Sequence, residues 1–99
     1  MSNIKYSVLM SVYEKENPDY LETSIDSILR QTLPPDHIVI VKDGKLTNKL
    51  DSIIDKYVEL SPRIFTIVEL TKNVGLGLAL NEGLKACRNE LVARMDTDD

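Results

Sequence analysis

The sequence predicts an α/β fold, in which a parallel β-sheet carries helices on both faces. Short apolar runs, rich in β-branched residues, alternate along the chain with amphipathic stretches. The runs are nearly continuous in apolar character, as strands covered on both faces should be, and turn residues separate them from the stretches. The predicted order is β-α-β-α-β-α-β, a Rossmann-like arrangement with right-handed crossovers.

The four predicted strands cover residues 6–12, 37–41, 64–68 and 90–95. Asn17 can cap the first helix, with Pro18 in its first turn, and Pro34-Pro35 is expected to end it. Ser61-Pro62 is expected to end the second helix. The apolar positions expected to face the sheet are Leu21, Ile25, Ile28 and Leu29 in the first helix, Leu50, Ile53, Ile54, Tyr57 and Val58 in the second, and Leu76, Leu80, Leu84 and Cys87 in the third.

Length and composition argue against several classes of function and of metal site. The 99 residues suit one domain or part of one, and a net charge of -4 argues against general binding of nucleic acid. With His37 and Cys87 as the single residues of their types, a His/Cys metal site is excluded, so any metal must be held by carboxylates, which favours Mn or Mg. No apolar run approaches the length of a membrane span, and residues 1–5 lack the apolar core of a signal peptide, so we expect a cytoplasmic location.

Four short segments follow the predicted strands, and ligands of open α/β sheets bind beyond the carboxyl ends of the strands. They are Tyr13-Glu14, Asp43-Gly44, Asn73-Val74-Gly75 and residues 96–99. Since parallel strands end at one edge, we expect these segments to share a cleft.

The last segment places three carboxylates, those of Asp96, Asp98 and Asp99, within four residues. Like charges so close repel one another, and a divalent cation removes that cost. The alternative is a solvated acidic segment.

The other segments each admit two interpretations. Asp43 could accept hydrogen bonds from a nucleobase or a ribose, or form a plain Asp-Gly turn. Gly75 and Gly77 could let a diphosphate approach the start of the third helix, or could permit tight turning and packing on the sheet. Tyr13 could stack on a base or cover the sheet edge.

Taken in order, these segments resemble the family 2 glycosyltransferases of the GT-A fold, over nearly the whole chain. The resemblance rests on five stretches: residues 7–13, 24–32 (with the ending Ser-Ile-Leu-Arg-Gln-Thr), 38–44, 73–84 and the Asp-x-Asp motif of Met95-Asp96-Thr97-Asp98-Asp99. Departures from the usual family pattern are Ser11 for Pro, Lys42 for the first Asp of an Asp-Asp pair and Leu80 for Arg.

The resemblance implies an inverting enzyme that transfers a sugar, expected to be UDP-linked, from a nucleotide-diphosphate donor to a hydroxyl acceptor on a glycan or lipid, in bacterial polysaccharide biosynthesis. It implies that Ser11, Tyr13, Glu14, Asp43 and Gly75 line the nucleotide site, with Asp43 at the base. Asp96 would lie near the ribose and the metal. Asp98 would be the main ligand of a Mn or Mg ion.

Family members are much longer, so residues 1–99 are expected to be the N-terminal nucleotide-sugar-binding part of a truncated GT-A domain. The acceptor half and the catalytic base would lie beyond Asp99, the fragment alone would be inactive, and the full-length protein would work at the cytoplasmic face of a membrane. The open sheet edge at the fourth strand invites self-association. Two alternatives stay open at this point: a nucleotidyltransferase of related fold, and a non-catalytic nucleotide-binding module.

Overall fold

The sheet is parallel throughout, and its four strands lie in the order β3-β2-β1-β4. The computed structural model describes residues 4–95. The strands are β1 (Ser7–Val12), β2 (His37–Lys42), β3 (Phe65–Glu69) and β4 (Val92–Arg94), and the helices are α1 (Pro18–Leu29), α2 (Asn48–Leu60) and α3 (Leu76–Leu84). The predicted α/β architecture is therefore confirmed.

Strand alternation divides the core between the two faces of the sheet. Odd-numbered residues of β1 and β2, such as Leu9, Val39 and Val41, pack with Ala79 of α3. Even-numbered residues pack against α1 and α2 on the other face; this larger cluster includes Val8, Met10, Ile38, Ile40, Leu21, Ile25, Leu50 and Ile54. Because successive side chains of a strand point to opposite faces, one apolar run can serve both layers.

Helix α1 begins as the sequence predicts and ends earlier. The Asn17 side chain accepts hydrogen bonds from the backbone N–H groups of Asp19 and Tyr20, at 2.8 and 3.3 Å. The last residue of α1 is Leu29 rather than the one before Pro34-Pro35. The Tyr6 hydroxyl donates to the Leu33 carbonyl at 2.6 Å, which holds the returning chain against the start of β1.

The predicted sheet-facing stripe of α3 is wrong in part. Leu80 and Cys87 are half-buried, but Leu76 and Leu84 are 54% and 51% exposed, and the buried residues of α3 are Ala79 and Gly83. A Cβ on Gly83 would lie 2.4 Å from Leu9 Cδ1 and 2.5 Å from Val41 Cγ2. The helix backbone lies so close to the sheet that only small residues fit between them, and Leu76 and Leu84 line the groove between α3 and β4 instead.

His37 of β2 contacts β3 and the segment that follows α3, at the amino edge of the sheet. The ring is fully buried, its Nδ1 accepts the backbone N–H of Arg88 at 3.2 Å, and its Nε2 lies 2.8 Å from Thr66 Oγ1. The first contact makes Nε2 the protonated nitrogen, so it donates to Thr66. Burial, and then the positive charge of Arg88, lower the pKa of His37, while Asp36 opposes them. The role is structural, at the edge opposite the predicted site.

In the part of the chain that the structure describes, no helix is long and apolar enough to cross a membrane.

Candidate donor site

Three strands end in register at the carboxyl edge of the sheet. Val12 of β1 pairs with Lys42 of β2, which pairs with Glu69 of β3. Backbone bonds continue past the strands, since Asp43 N–H donates to the Val12 carbonyl at 2.8 Å and Leu70 N–H donates to the Lys42 carbonyl at 3.0 Å. The loops after β1, β2 and β3 therefore leave the sheet side by side.

Asp43 lies between two of these loops and is only 4% exposed. Its Oδ1 accepts the backbone N–H of Val74 at 2.7 Å, and its Oδ2 accepts that of Gly75 at 3.1 Å. The Asn73 side chain donates to the Asp43 carbonyl at 3.4 Å. Carboxylate acceptors form strong hydrogen bonds, so Asp43 binds the loop that leads into α3.

Gly44 brings the same loops into backbone contact. Its φ of +90° lies in the left-handed region that favours glycine, and a Cβ there would lie 2.8 Å from the Asn73 nitrogen. Both the conformation and the contact require glycine, which gives the Asp-Gly turn a packing role alongside the hydrogen bonds of Asp43.

Gly75 is the N-cap of α3, and here the backbone conformation explains the glycine. Its φ is +93°, yet a Cβ at Gly75 would meet no heavy atom of residues 4–95 within 4 Å, and the same is true of Gly77. No side chain of the described residues caps this helix end. The glycines thus leave space beside the first turn of α3, as the diphosphate interpretation requires.

The residues after β1 reach the same edge. Ser11 is half-buried within β1, Tyr13 is 37% exposed and Glu14 is exposed. A turn follows, in which Glu16 N–H donates to the Tyr13 carbonyl at 3.0 Å. The structure therefore brings Ser11, Tyr13 and Glu14 to the edge that holds Asp43; their contact with a nucleotide stays a prediction.

The predicted metal ligands, Asp96 and Asp98, lie outside the described residues. Residues 4–95 contain no group of three or more His, Cys, Asp or Glu side chains that could hold a metal ion. The Met95 N–H donates to the Leu9 carbonyl at 3.0 Å, so the chain is still beside β1 one residue before Asp96. Three carboxylates in a run of four residues are oxygen donors that suit Mn or Mg.

The contacts of Asp43 with Val74 and Gly75 were not foreseen, and neither was a pair formed by Lys42. Its Nζ lies 2.9 Å from Asp51 Oδ1 in the first turns of α2. Strand alternation could have indicated the face on which each side chain lies, because residue 42 shares its face with Ile40 and residue 43 shares its face with Val41, but it could not have indicated the partners.

A groove of about 690 Å³ between α3 and β4 offers a diphosphate few polar partners among residues 4–95. Most of its lining is apolar: Leu9, Leu76, Leu78, Leu80, Leu84 and Val92 stand beside Gly77, Asn81 and Arg94. A charged diphosphate needs polar partners when it leaves water. The loops at the carboxyl edge therefore remain the better candidate for the donor site.

Curated proteins resemble this chain over nearly its whole length. The chain is 48% identical over 94 residues to the amylovoran biosynthesis glycosyltransferase AmsE of Erwinia amylovora, covering 95% of this chain and 35% of that protein. It is 46% identical over 96 residues to the UDP-Gal:alpha-D-GlcNAc-diphosphoundecaprenol beta-1,3-galactosyltransferase of Escherichia coli, covering 96% of this chain and 34% of that protein. The chain thus spans about a third of the length of the curated relatives that it matches.

Solved structures agree in fold. The mannosyltransferase PcManGT from Pyrobaculum calidifontis, in complex with GDP-Man and Mn2+, superimposes with a TM-score of 0.81 at 27% identity, covering 97% of this chain and 28% of that one. TarS 1-349 of S. aureus, in complex with UDP-GlcNAc, superimposes with a TM-score of 0.79 at 27% identity, covering 96% of this chain and 27% of that one. The profile of glycosyl transferase family 2 matches residues 7–99, and the chain belongs to that family.

Proposed function

We propose that this chain forms the donor-binding part of an enzyme that transfers a sugar from a nucleotide-diphosphate sugar to a hydroxyl acceptor. The observation that carries the proposal is the convergence of the loops after β1, β2 and β3 at one edge, with Asp43 hydrogen-bonded across it to Val74 and Gly75. Beyond β4 the sequence runs directly into the acidic motif. Ligands of open α/β sheets bind at this edge.

The nucleotide is proposed to lie between the loops after β1 and β2, with Tyr13 and Glu14 beside the base and Asp96 near the ribose. Tyr13 keeps enough exposure to offer its ring to a base, and the solvent-facing position of Glu14 leaves room for a ligand. We propose uridine because the relative from Escherichia coli is a UDP-Gal transferase and one structural neighbour holds UDP-GlcNAc.

The metal ligands are proposed to be Asp98, as the main one, and Asp96. A bound Mn or Mg ion would supply positive charge to the diphosphate leaving group. The neighbour with GDP-Man also contains Mn2+, which supports a divalent cation. Inversion would further require a carboxylate base on the acceptor side, and we assign no residue of this chain to that task.

The acceptor is proposed to be a hydroxyl of a glycan or of a lipid-linked sugar, in bacterial polysaccharide biosynthesis. Two relatives support this class, since one is named for amylovoran biosynthesis and the other for a diphosphoundecaprenol-linked acceptor. With an acceptor of that kind, the full-length enzyme would work at the cytoplasmic face of a membrane.

The proposal is tested by calorimetric titration of UDP into the chain, with Mn and without it. We expect binding with Mn and little or none without it. We expect the Asp98→Ala variant to lose at least tenfold in affinity, because it lacks the main metal ligand. Asp55→Ala is the matched control, since it removes an exposed carboxylate of α2 away from the proposed site.

Equal affinity for UDP in the wild type and in Asp98→Ala, with Mn present, would refute the metal assignment. A folded wild-type chain that ignores UDP, GDP and dTDP with Mn would refute donor binding by this part of the enzyme.

A further inference from the structure

We propose that Asn89 is a positioning residue for the acidic motif. By bonding to Ser7 it holds β4 in its register on β1, and the chain runs from β4 into Asp96-Thr97-Asp98-Asp99. The consequence for the metal rests on the proposed function, whereas the holding of β4 does not.

The side chains of β4 give its register little support. The strand has three residues, and it pairs with β1 in the register that places Ser7 beside Val92. Within residues 4–95, Val92 is half-buried and the two residues that follow it are exposed. A slip by one residue would turn every side chain of β4 to the other face, and burial distinguishes the two faces only weakly here. The register of β4 therefore depends on contacts outside the strand.

Asn89 makes such contacts three residues before Val92. Its Nδ2 donates to Ser7 Oγ at 3.2 Å and to Asp36 Oδ1 at 2.9 Å, and its backbone N–H donates to Ser7 Oγ at 3.4 Å. A carboxylate only accepts, so the group that faces Asp36 must be the NH2 group, and both of its hydrogens are used. Asn89 thereby joins the segment before β4 to the first residue of β1, which is the residue that pairs with Val92.

The neighbours of Asn89 hold the same segment at the amino edge of the sheet. Ser7 is fully buried, and its hydroxyl oxygen also lies 3.3 Å from His37 Nδ1. The Arg88 N–H donates to that nitrogen at 3.2 Å, and the Arg88 guanidinium donates to two backbone carbonyls before β2 and β3, at 3.3 and 3.1 Å. Arg88 thus binds the chain around β2 and β3, and the side chain of Asn89 binds β1.

The strand itself carries this register toward the motif. A strand advances about 3.3 Å per residue and alternates its side chains, so a slip of one residue would displace Met95 by that distance and reverse its face. The Ser7 N–H donates to the Leu91 carbonyl at 2.9 Å. At the other end of the pairing, the Met95 N–H donates to the Leu9 carbonyl at 3.0 Å. Because the motif begins at the next residue, its starting point follows from the register that Asn89 holds.

Amide hydrogen exchange in the ligand-free chain tests whether Asn89 holds β4. Asn89→Asp keeps the size of the side chain, removes its two N–H donors and places a second carboxylate beside Asp36. We expect the Met95 amide to exchange about tenfold faster in this variant. The Ile40 amide, in the middle of β2, reports on global opening and should change far less. The Met95 amide should also be unchanged in the control Asn48→Asp, at an exposed position of α2.

Exchange of the two partner residues separates a specific contact from general weakening. In the double variant Asn89→Asp with Asp36→Asn, the amide and the carboxylate trade places, so a hydrogen bond between positions 36 and 89 can form again, and the Ser7 hydroxyl can donate to the carboxylate. We expect exchange at Met95 to return to within about threefold of the wild type. Unchanged Met95 exchange in Asn89→Asp, or no recovery in the double variant, would overturn the inference. So would equal acceleration at Ile40, because the effect would then be loss of the fold.

Manganese affinity tests the consequence for the motif. Binding broadens the electron paramagnetic resonance signal of free Mn, so titration with UDP present gives an affinity without a measurement of activity. We expect Asn89→Asp to bind Mn about tenfold more weakly than the wild type, and the double variant to recover most of that loss. The added carboxylate would by itself attract a cation, so weaker binding points to the position of the motif rather than to charge.

Equal Mn affinity in the wild type and in Asn89→Asp would overturn the positioning role. A folded wild-type chain that binds no Mn would instead refute the metal assignment, and with it the consequence for the motif. Exchange at Met95 involves neither Mn nor nucleotide, so it decides whether Asn89 holds β4 even where the proposed function fails.

Discussion

Replacement of Gly83 by Ala tests how closely α3 lies on the sheet. The new Cβ would lie 2.4 Å from Leu9 Cδ1 and 2.5 Å from Val41 Cγ2, well inside van der Waals contact. Val41 is fully buried and β-branched, so its Cγ2 cannot rotate away freely, whereas the Leu9 side chain is 2% exposed and lines the groove beside β4. Overpacking of this kind costs about 1–3 kcal/mol, while the gain from replacing a helical glycine is at most about 1 kcal/mol.

Gly77→Ala is the matched control, because it lies near the other end of the same helix and its Cβ would meet no heavy atom within 4 Å in the part of the chain that the structure describes. The gain in helix propensity is similar in both variants and cancels in the comparison. We expect Gly83→Ala to be less stable than Gly77→Ala by about 1–3 kcal/mol, measured by urea unfolding followed by circular dichroism. Equal free energies of unfolding would refute the close packing of α3 on Leu9 and Val41.

Two further predictions concern stability. Because burial lowers the pKa of His37, the unfolded chain binds a proton as the pH falls below about 6.5 while the native state does not, so stability is complete above that pH and declines below it. We expect the free energy of unfolding, measured with urea, to fall by at most about 1.4 kcal/mol per pH unit between pH 7 and 5. The sequence has no other histidine, so loss of this pH dependence in His37→Gln would confirm that His37 causes it. Asn17→Ala should lower the free energy of unfolding by about 1 kcal/mol through loss of the α1 cap, measured against Asn48→Ala at the start of α2; equal values would contradict a capping role.

The sequence predicts the fold well because the strands of a doubly covered sheet must be apolar throughout. Residues 38–41 are all apolar and pack alternately against the two faces of the sheet, and the run shows no helical periodicity. The same reasoning misjudges α3, because hydrophobic periodicity searches for large apolar residues. The face of α3 that packs closest to the sheet is marked by Ala79 and Gly83, whose small size is the reason they are buried.

The sequence predicts at which edge of the sheet the candidate site lies, but it does not predict the hydrogen bonds within that site. Topology requires the loops after β1, β2 and β3 to emerge together, so Tyr13, Asp43 and Gly75 can be assigned to one edge from the chain alone. The partners of Asp43 are backbone amides more than 30 residues away. A backbone donor carries no side-chain identity, so nothing in the residue types at positions 74 and 75 marks them as partners of a carboxylate.

The departure at Lys42 leaves the contacts of Asp43 unaffected, and strand alternation explains why. Lys42 points to the face covered by α1 and α2, where its side chain is 14% exposed and its Nζ pairs with Asp51. Asp43 points to the opposite face, toward the loop that precedes α3. The family's usual Asp at position 42 would therefore occupy the α2 side of the strand, and the Lys that replaces it is neutralised there by Asp51. The ion pair of Lys42 and the bonds from Val74 and Gly75 to Asp43 therefore lie on opposite faces of the sheet.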